Sequence, residues 1–362
     1  NPATGKPQLN LVSEKQEIQM GKEGAEAVEA TIGVYEDEEL ASYVQALGEK
    51  LAEVSERRDL PWTFRVADDP AVNAFALPGG FIFVTRGILA HLDNEAQLVA
   101  VMGHEVGHVT ARHSVEQVSR QQIANVGLAI GATLSSEVRR FSGLGSMGLQ
   151  LLFLKFVRDA ENQADELGLR YALETDYDPR EMPKVFETLG RVSDAQGGGQ
   201  RLPAWLSTHP DPDDRAEQTE ARIEALERDD LDELTVAEGR LMKHVDGIMY
   251  GDNPRDGFFR GNRFHHPELR FRIDFPRDFL AANGRQVVLA RSPDEDAVMQ
   301  LMAAGRDAPR SVLERFFQES GATARARPGQ LGPALAAPLV AEAEEGQVVG
   351  LAAALGNAGQ SY

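Results

Sequence analysis

The sequence predicts an α+β protein. Residues 1–235 read as a mainly helical domain with a small edge-stranded sheet, and residues 236–362 as a small accessory α+β domain. Three observations carry this. Apolar residues recur every three or four positions through long stretches of the first part. Two segments of the same part, "WTFRVAD" and "NAFALPGGFIFVTRG", carry strand-like patterns. After about Thr235 shorter alternating segments take over. At 362 residues the chain is long enough to bury a core in each part.

In chain order, "SEKQEIQMGKEGAEAVEATIG" and "DEELASYVQALGEKLAEVSER" form helices, the first opened by a Ser13/Gln16 capping box. "WTFRVAD" is a half-buried strand. "NAFALPGGFIFVTRG" is two short strands joined by a Pro-Gly-Gly turn, and its proline marks an edge. Asn94, with Gln97 three residues on, caps a helix expected to run to about Val118. Residues 123–157 are apolar and glycine-rich, interrupted by Glu137, Arg139 and Arg140. Core helices with a loop, or a hairpin that touches a membrane surface or a partner, both fit that stretch. "RDAENQADELGLRYALE" continues as a long helix, followed by a short helix after Pro183 and a glycine-rich loop at Gly197–Gly199. "DPDDRAEQTEARIEALERDDLDEL" is a charge-paired helix. "HPELRFRIDFP" and "RQVVLARSP" alternate as strands, and "SVLERFFQES" is helical. No stop signal precedes Tyr362, an ending that fits an incomplete second domain.

Composition removes several function classes. A formal charge of −20 argues against a nucleic-acid surface. The absence of cysteine excludes disulfides, thiolate metal sites and cysteine nucleophiles. No run of eighteen apolar residues occurs, so no transmembrane span is expected.

Chemistry concentrates in "VMGHEVGHVTARH". His104 and His108 are four apart and share a helix face, so both imidazoles can reach one metal ion, and zinc suits two nitrogen ligands. Glu105 lies about 100° round the helix, placed to act on a water rather than to replace it. This is the H-E-x-x-H arrangement of metalloproteases. With the helix running on, His113 falls roughly 180° from His104 and drops out. The longer metzincin pattern would need histidine at Ser114 and glycine at Ala111, so the third ligand comes from elsewhere. Glu161 and Asp165 are the candidates, again four apart on a helix. One carboxylate would ligate the metal, and the other would accept the spare N–H of a ligand histidine. Small residues on both helices, Gly103 and Gly107 against Ala160, Ala164 and Gly168, would allow a close approach.

H-E-x-x-H followed by an E-x-x-x-D helix resembles the zinc metalloprotease family of the CAAX prenyl endopeptidases, HtpX and BepA (YfgC). "VNAFALPGGFIFVTRGIL" resembles that family's strand segment before the metal helix. "STHPDPDDR" resembles its downstream His-Pro motif, and "NPATGKPQLNLVSEKQE" the mature N-terminus of its soluble secreted members. The likeness covers residues 1 to about 225. It implies a zincin-like (gluzincin) domain holding one Zn²⁺ through His104, His108 and Glu161, with Glu105 as base and Asp165 orienting a ligand histidine. It implies that the strand Asn73, Ala74, Phe75, Ala76 and Leu77 holds an extended or unfolded polypeptide by β-addition. His209 would either stabilise an oxyanion, with Arg215 in support, or bind the zinc and keep the enzyme latent. The implied setting is the periplasm or cell envelope, with room for a lipid anchor. The implied task is hydrolysis of internal peptide bonds in misfolded or unassembled envelope proteins. An assembly factor or chaperone with a normally closed site is the competing expectation. BepA's helical repeat domain has no counterpart in the strand-like region 236–362.

Overall fold

A computed structural model describes residues 1–128, 156–195, 205, 208–209, 212–283, 287–294, 296–304, 307–331, 334–343, 346–354, 356–357 and 360–361. The expected membrane-touching hairpin falls mostly on residues 129–155 and the glycine-rich loop on 197–199, all outside the described residues. No described helix is long and apolar enough to cross a membrane. The mixed helix and open-sheet architecture is α+β, in two compact units, Asn1–Gly251 and Asp252–Tyr362.

The first unit begins with α1 (Glu14–Thr31). The Ser13 side chain accepts from Gln16 N–H, and Gln16 Oε1 accepts in return from Ser13 N–H. α2 (Glu38–Val54) is capped by Asp37 and buries Leu40, Val44, Leu47 and Leu51 at helical spacing. A three-stranded sheet of order β1-β3-β2 follows, from β1 (Thr63–Ala67), β2 (Ala74–Leu77) and β3 (Phe81–Thr85). β1 pairs parallel to β3 in the register Thr63–Phe81, and β2 antiparallel to it in the register Leu77–Phe81. Positive φ angles at Gly79 and Gly80 make the β2–β3 turn. Among the described residues β2 pairs with β3 alone, so it is an edge strand.

After a short helix, α3 (Arg86–Leu89), comes α4 (Glu95–Thr110), with Asn94 accepting from Gln97 N–H at 2.9 Å. Every residue of α4 is buried. It stops earlier than expected. Arg112 adopts a left-handed backbone, φ 60°, and α5 (His113–Leu128) starts afresh in a new direction. Such a φ is uncommon outside glycine. Here it is anchored from a distance: Arg112 Nη2 donates to Val12 O at 3.0 Å and pairs with Glu17 at 2.8 Å.

Three more helices complete the frame around α4: α6 (Arg158–Glu174), α7 (Glu181–Ala195) and α8 (Pro212–Glu224). α7 is longer than the expected short helix, and Pro183 falls in its first turn, where its missing N–H has no intrahelical partner to lose. The division between units comes after Gly251, later than the compositional break at Thr235. α9 (Glu238–Val245) buries Leu241 and Val245 in the first unit's core. Its Arg240 reaches the fully buried Glu95, which also accepts from the hydroxyls of Tyr43 and Tyr177. Arg86 holds the carbonyls of Met249 and Gly251.

The second unit contains two antiparallel three-stranded sheets. They are β4 (Phe258–Arg260), β5 (Arg263–His266) and β6 (Phe271–Asp274), then β7 (Leu280–Asn283), β8 (Val287–Arg291) and β9 (Val298–Met302). Phe264, Phe275, Val288 and Ala290 form one small core. A longer hairpin, β12 (Ala334–Ala343) with β13 (Gly346–Ala354), packs with α10 (Pro309–Ser320), and β10 (Thr323–Ala324) and β11 (Gly329–Leu331) complete that sheet.

What positions the site is the contact of α4 with α6. A Cβ on Gly168 would lie 2.9 Å from the His104 nitrogen, and one on Gly107 would lie 3.0 Å from the Ala164 carbonyl oxygen. Neither neighbour is a flexible side-chain tip. Gly168→Ala is therefore expected to push the helices apart and cost roughly 1–3 kcal/mol, measured by denaturant unfolding. Gly190→Ala on α7 is the control, because its Cβ would meet only Asp213 Oδ1 at 3.9 Å.

Candidate metal centre

The close approach of α4 and α6 brings four buried groups together. Ligand atoms of His104, His108, Glu161 and His209 all lie within 4.8 Å of one another. His104 and His108 come from adjacent turns of α4, and their Nε2 atoms are 3.0 Å apart. Glu161 comes from the first turn of α6, its carboxylate 3.6 Å from His104 Nε2 and 3.5 Å from His108 Nε2. His209 enters from the segment before α8. Its Nδ1 is 3.3 Å from His104 Nε2 and 3.0 Å from Glu161 Oε1.

These separations test whether a metal fits. Tetrahedral bonds of about 2.0–2.1 Å put neighbouring ligand atoms roughly 3.3–3.4 Å apart. Five of the six pairs are separated by 3.0 to 3.6 Å, all four ligand atoms lie within 4.8 Å of one another, and the donors are the imidazole and carboxylate that zinc takes. Glu105 stands beside this set, fully buried. Its Oε1 has no hydrogen-bond partner, and His209 Nε2 lies 3.6 Å from it.

A second ring of groups holds the first. Asp165, one turn after Glu161, lies 2.9 Å from His104 Nδ1. Arg215 on α8 donates to both Asp165 oxygens, through Nε at 2.8 Å and Nη2 at 2.5 Å, and its Nη1 pairs with Glu161 at 3.1 Å. The guanidinium lies over two rings, 4.4 Å from the centre of Phe186 and 4.7 Å from that of Trp205. Trp205 also stacks on His209 at 4.7 Å and accepts that residue's backbone N–H. Phe156 covers His108, ring to ring at 4.1 Å.

Charge and burial compete at each group. Burial alone would raise the Asp165 and Glu161 pKa values. The Arg215 cation outweighs it at Asp165, and His209 with Arg215 outweighs it at Glu161, so both carboxyls lie below their ordinary range. Burial pushes His209 down, but the Glu161 and Glu105 carboxylates overcome it and raise it. His108 is driven well below its ordinary value, by burial first and then by the electrostatic effect of His104, His113, His209 and Arg215. Low basicity keeps that imidazole neutral, the form that ligates a metal.

His113 is where the structure departs most from the sequence expectation. Because the helix breaks at Arg112, His113 swings back under the site, its Nδ1 3.0 Å from His108 Nδ1. It is not carried to the far side. Sequence reasoning also missed Phe156, Trp205 as a neighbour of both His209 and Arg215, and Gln163, which faces His113 Nε2 at 3.0 Å. Gln163 lies between Glu161 and Asp165, and its amide was the available signal. The strand Asn73–Leu77 forms the edge already described, and Asn73 Oδ1 is buried without a hydrogen-bond partner.

The sequence profile of peptidase family M48 matches residues 38–223. The mitochondrial metalloendopeptidase OMA1 of Arabidopsis thaliana is 37% identical over 159 residues, 44% of this chain and 31% of that protein. The OMA1 of Schizosaccharomyces pombe is 32% identical over 228 residues, 60% of this chain and 64% of the relative. The beta-barrel assembly-enhancing protease of Escherichia coli is 29% identical over 223 residues, 59% of this chain and 45% of the relative. The chain thus spans less than two thirds of each of these relatives.

Arg215 is the buried counter-charge of two carboxylates, so Arg215→Met strands both. The metal-free variant should lose roughly 3–5 kcal/mol at neutral pH, read by chemical denaturation. The wild-type advantage depends on pH. Both carboxyls have depressed native pKa values, so their contribution is in place above the ordinary carboxylate range and lost as pH falls through the native values. The gap between wild type and variant should therefore narrow on acidification below about pH 4.

Proposed function

The chain belongs to peptidase family M48, and from that premise we propose that it is a zinc-dependent endopeptidase of the zincin-like (gluzincin) type. It hydrolyses internal peptide bonds of misfolded or unassembled cell-envelope proteins. The observation that carries this reading is the buried set of His104, His108, Glu161 and His209, with a Glu105 oxygen that has no hydrogen-bond partner beside it. The names of the bacterial relatives support the envelope setting, although the OMA1 relatives are named as mitochondrial.

His104, His108 and Glu161 would hold the zinc. When bound, zinc supplies Lewis-acid chemistry that makes water acidic near neutral pH and polarises a carbonyl. Glu105 accepts the proton of the attacking water at its carboxylate and returns it to the leaving amine. Asp165 accepts the His104 Nδ1 proton and so fixes the tautomer whose Nε2 faces the metal. Arg215 is a positioning residue that orients Asp165 and Glu161 together. An extended substrate pairs along the side of β2 that no described strand occupies, from Asn73 to Leu77, through backbone hydrogen bonds. The Asp252–Tyr362 unit is an accessory domain.

His209 gates the site. Its Nδ1 lies 3.3 Å from His104 Nε2 and 3.0 Å from Glu161 Oε1, so it would be available to zinc as a further ligand in place of water. The resting form is then latent, and withdrawal of His209 opens it. The same imidazole, moved aside, is a donor for the developing oxyanion with Arg215 in support. The closed arrangement also favours a second reading, an envelope assembly factor or chaperone that works mainly by binding.

Cleavage of unfolded casein separates these readings. Glu105→Gln should retain one zinc per chain and lose roughly 10²–10⁴-fold in rate, and a zinc chelator should abolish wild-type cleavage. His209→Ala should keep its zinc and raise basal cleavage several-fold relative to wild type. A fall in that variant's rate would assign His209 to the oxyanion instead. No chelator-sensitive cleavage in either wild type or His209→Ala would sink the endopeptidase reading in favour of the binding protein.

A further inference from the structure

Each ligand histidine of α4 has a partner on the nitrogen that faces away from the cluster, and the two partners differ. His104 Nδ1 faces the Asp165 carboxylate at 2.9 Å. His108 Nδ1 faces another imidazole, His113 Nδ1, at 3.0 Å. On its far side His113 Nε2 faces Gln163 Oε1 at 3.0 Å. We propose that His113, backed by Gln163, is the positioning residue that fixes the metal-binding tautomer of His108. The proposal rests on the zinc reading of the site.

Proton bookkeeping makes the relay directional. His108 must keep the lone pair of Nε2 free, because that atom faces His104, Glu161 and the metal position. Its proton then resides on Nδ1 and needs an acceptor. A neutral imidazole offers one acceptor and one donor. His113 can accept at Nδ1 only when its own proton is on Nε2, and Gln163 Oε1 is placed to receive that proton. The amide oxygen cannot donate, so the arrangement runs one way, from His108 to His113 to Gln163. His113 is not itself a ligand here, since it meets His108 on the nitrogen opposite the cluster.

A neutral acceptor suits the surroundings. The cluster already buries Glu105, Glu161 and Asp165 around one arginine, and another carboxylate would add an unmatched charge. The device depends on the α4 break. The Glu17–Arg112 pair and the Arg112 bond to Val12 O stabilise the left-handed residue that turns His113 back beneath His108.

The test is zinc affinity of the full chain, measured by competition with a chelator of known affinity at neutral pH. His113→Leu should weaken binding roughly 10–100-fold. His113→Asn, whose side-chain oxygen can replace the Nδ1 acceptor, should retain most of the affinity. Gln163→Leu should give a smaller loss of the same sign, and it carries the test if His113→Leu does not fold. Wild-type affinity in His113→Leu, or an equal loss in His113→Asn, would overturn the positioning role while leaving the zinc site intact. Wild-type protein that binds no zinc would overturn both this inference and the reading beneath it.

Discussion

The distance between two helix backbones governs nearly everything else in the first unit. α4 and α6 approach so closely at Gly103, Gly107, Ala164 and Gly168 that added methyl groups would press on backbone atoms. This closeness lets short aspartate and glutamate side chains of α6 reach imidazoles rooted on α4. A glutamine reaches a third imidazole from the same helix. At an ordinary helix spacing of about 8–10 Å with larger side chains between, those reaches would fail together. Packing of small residues is therefore the precondition for the chemistry.

The second constraint is electrostatic. The chain carries a large excess of acid, yet its deepest acids are not left to water. Glu161 and Asp165 share Arg215, Glu95 has Arg240 and two tyrosine hydroxyls, and Glu17 has Arg57 and Arg112. These buried groups hold separate elements in register: α6 to α8, α4 to α9, and α1 to the end of α4. Arginine suits each junction because one planar fork can satisfy several acceptors at once.

Much of this was legible in the sequence where the cause is local. The Ser13/Gln16 box, the Asn94 cap and the Pro-Gly-Gly turn are set by residues within a few positions of one another, and each appears as expected. That Glu161 and Asp165 share a face followed from spacing, because a helix fixes which residues lie together; their pairing with the α4 histidines was what the family resemblance implied. The failures are non-local. Nothing in "VTARH" marks a break, since the left-handed Arg112 is an arginine held by Glu17 and Val12 nearly a hundred residues earlier. That single dihedral returned a discarded histidine to the site. Contacts of Arg240 and Arg86 with distant partners likewise leave no local mark in the sequence.

The stacking of Trp205 on His209 has an optical consequence. The chain has two tryptophans, and Trp62 belongs to the core near β1, with its Nε1–H bonded to Arg57 O. Trp205 also has Arg215 against its ring, and its carbonyl accepts from the His209 backbone N–H. Any movement that withdraws His209 from Glu161 must change what lies against that indole. The protein thus carries an intrinsic fluorophore at the proposed gate, while Trp62 would give a steady background against which a change is seen.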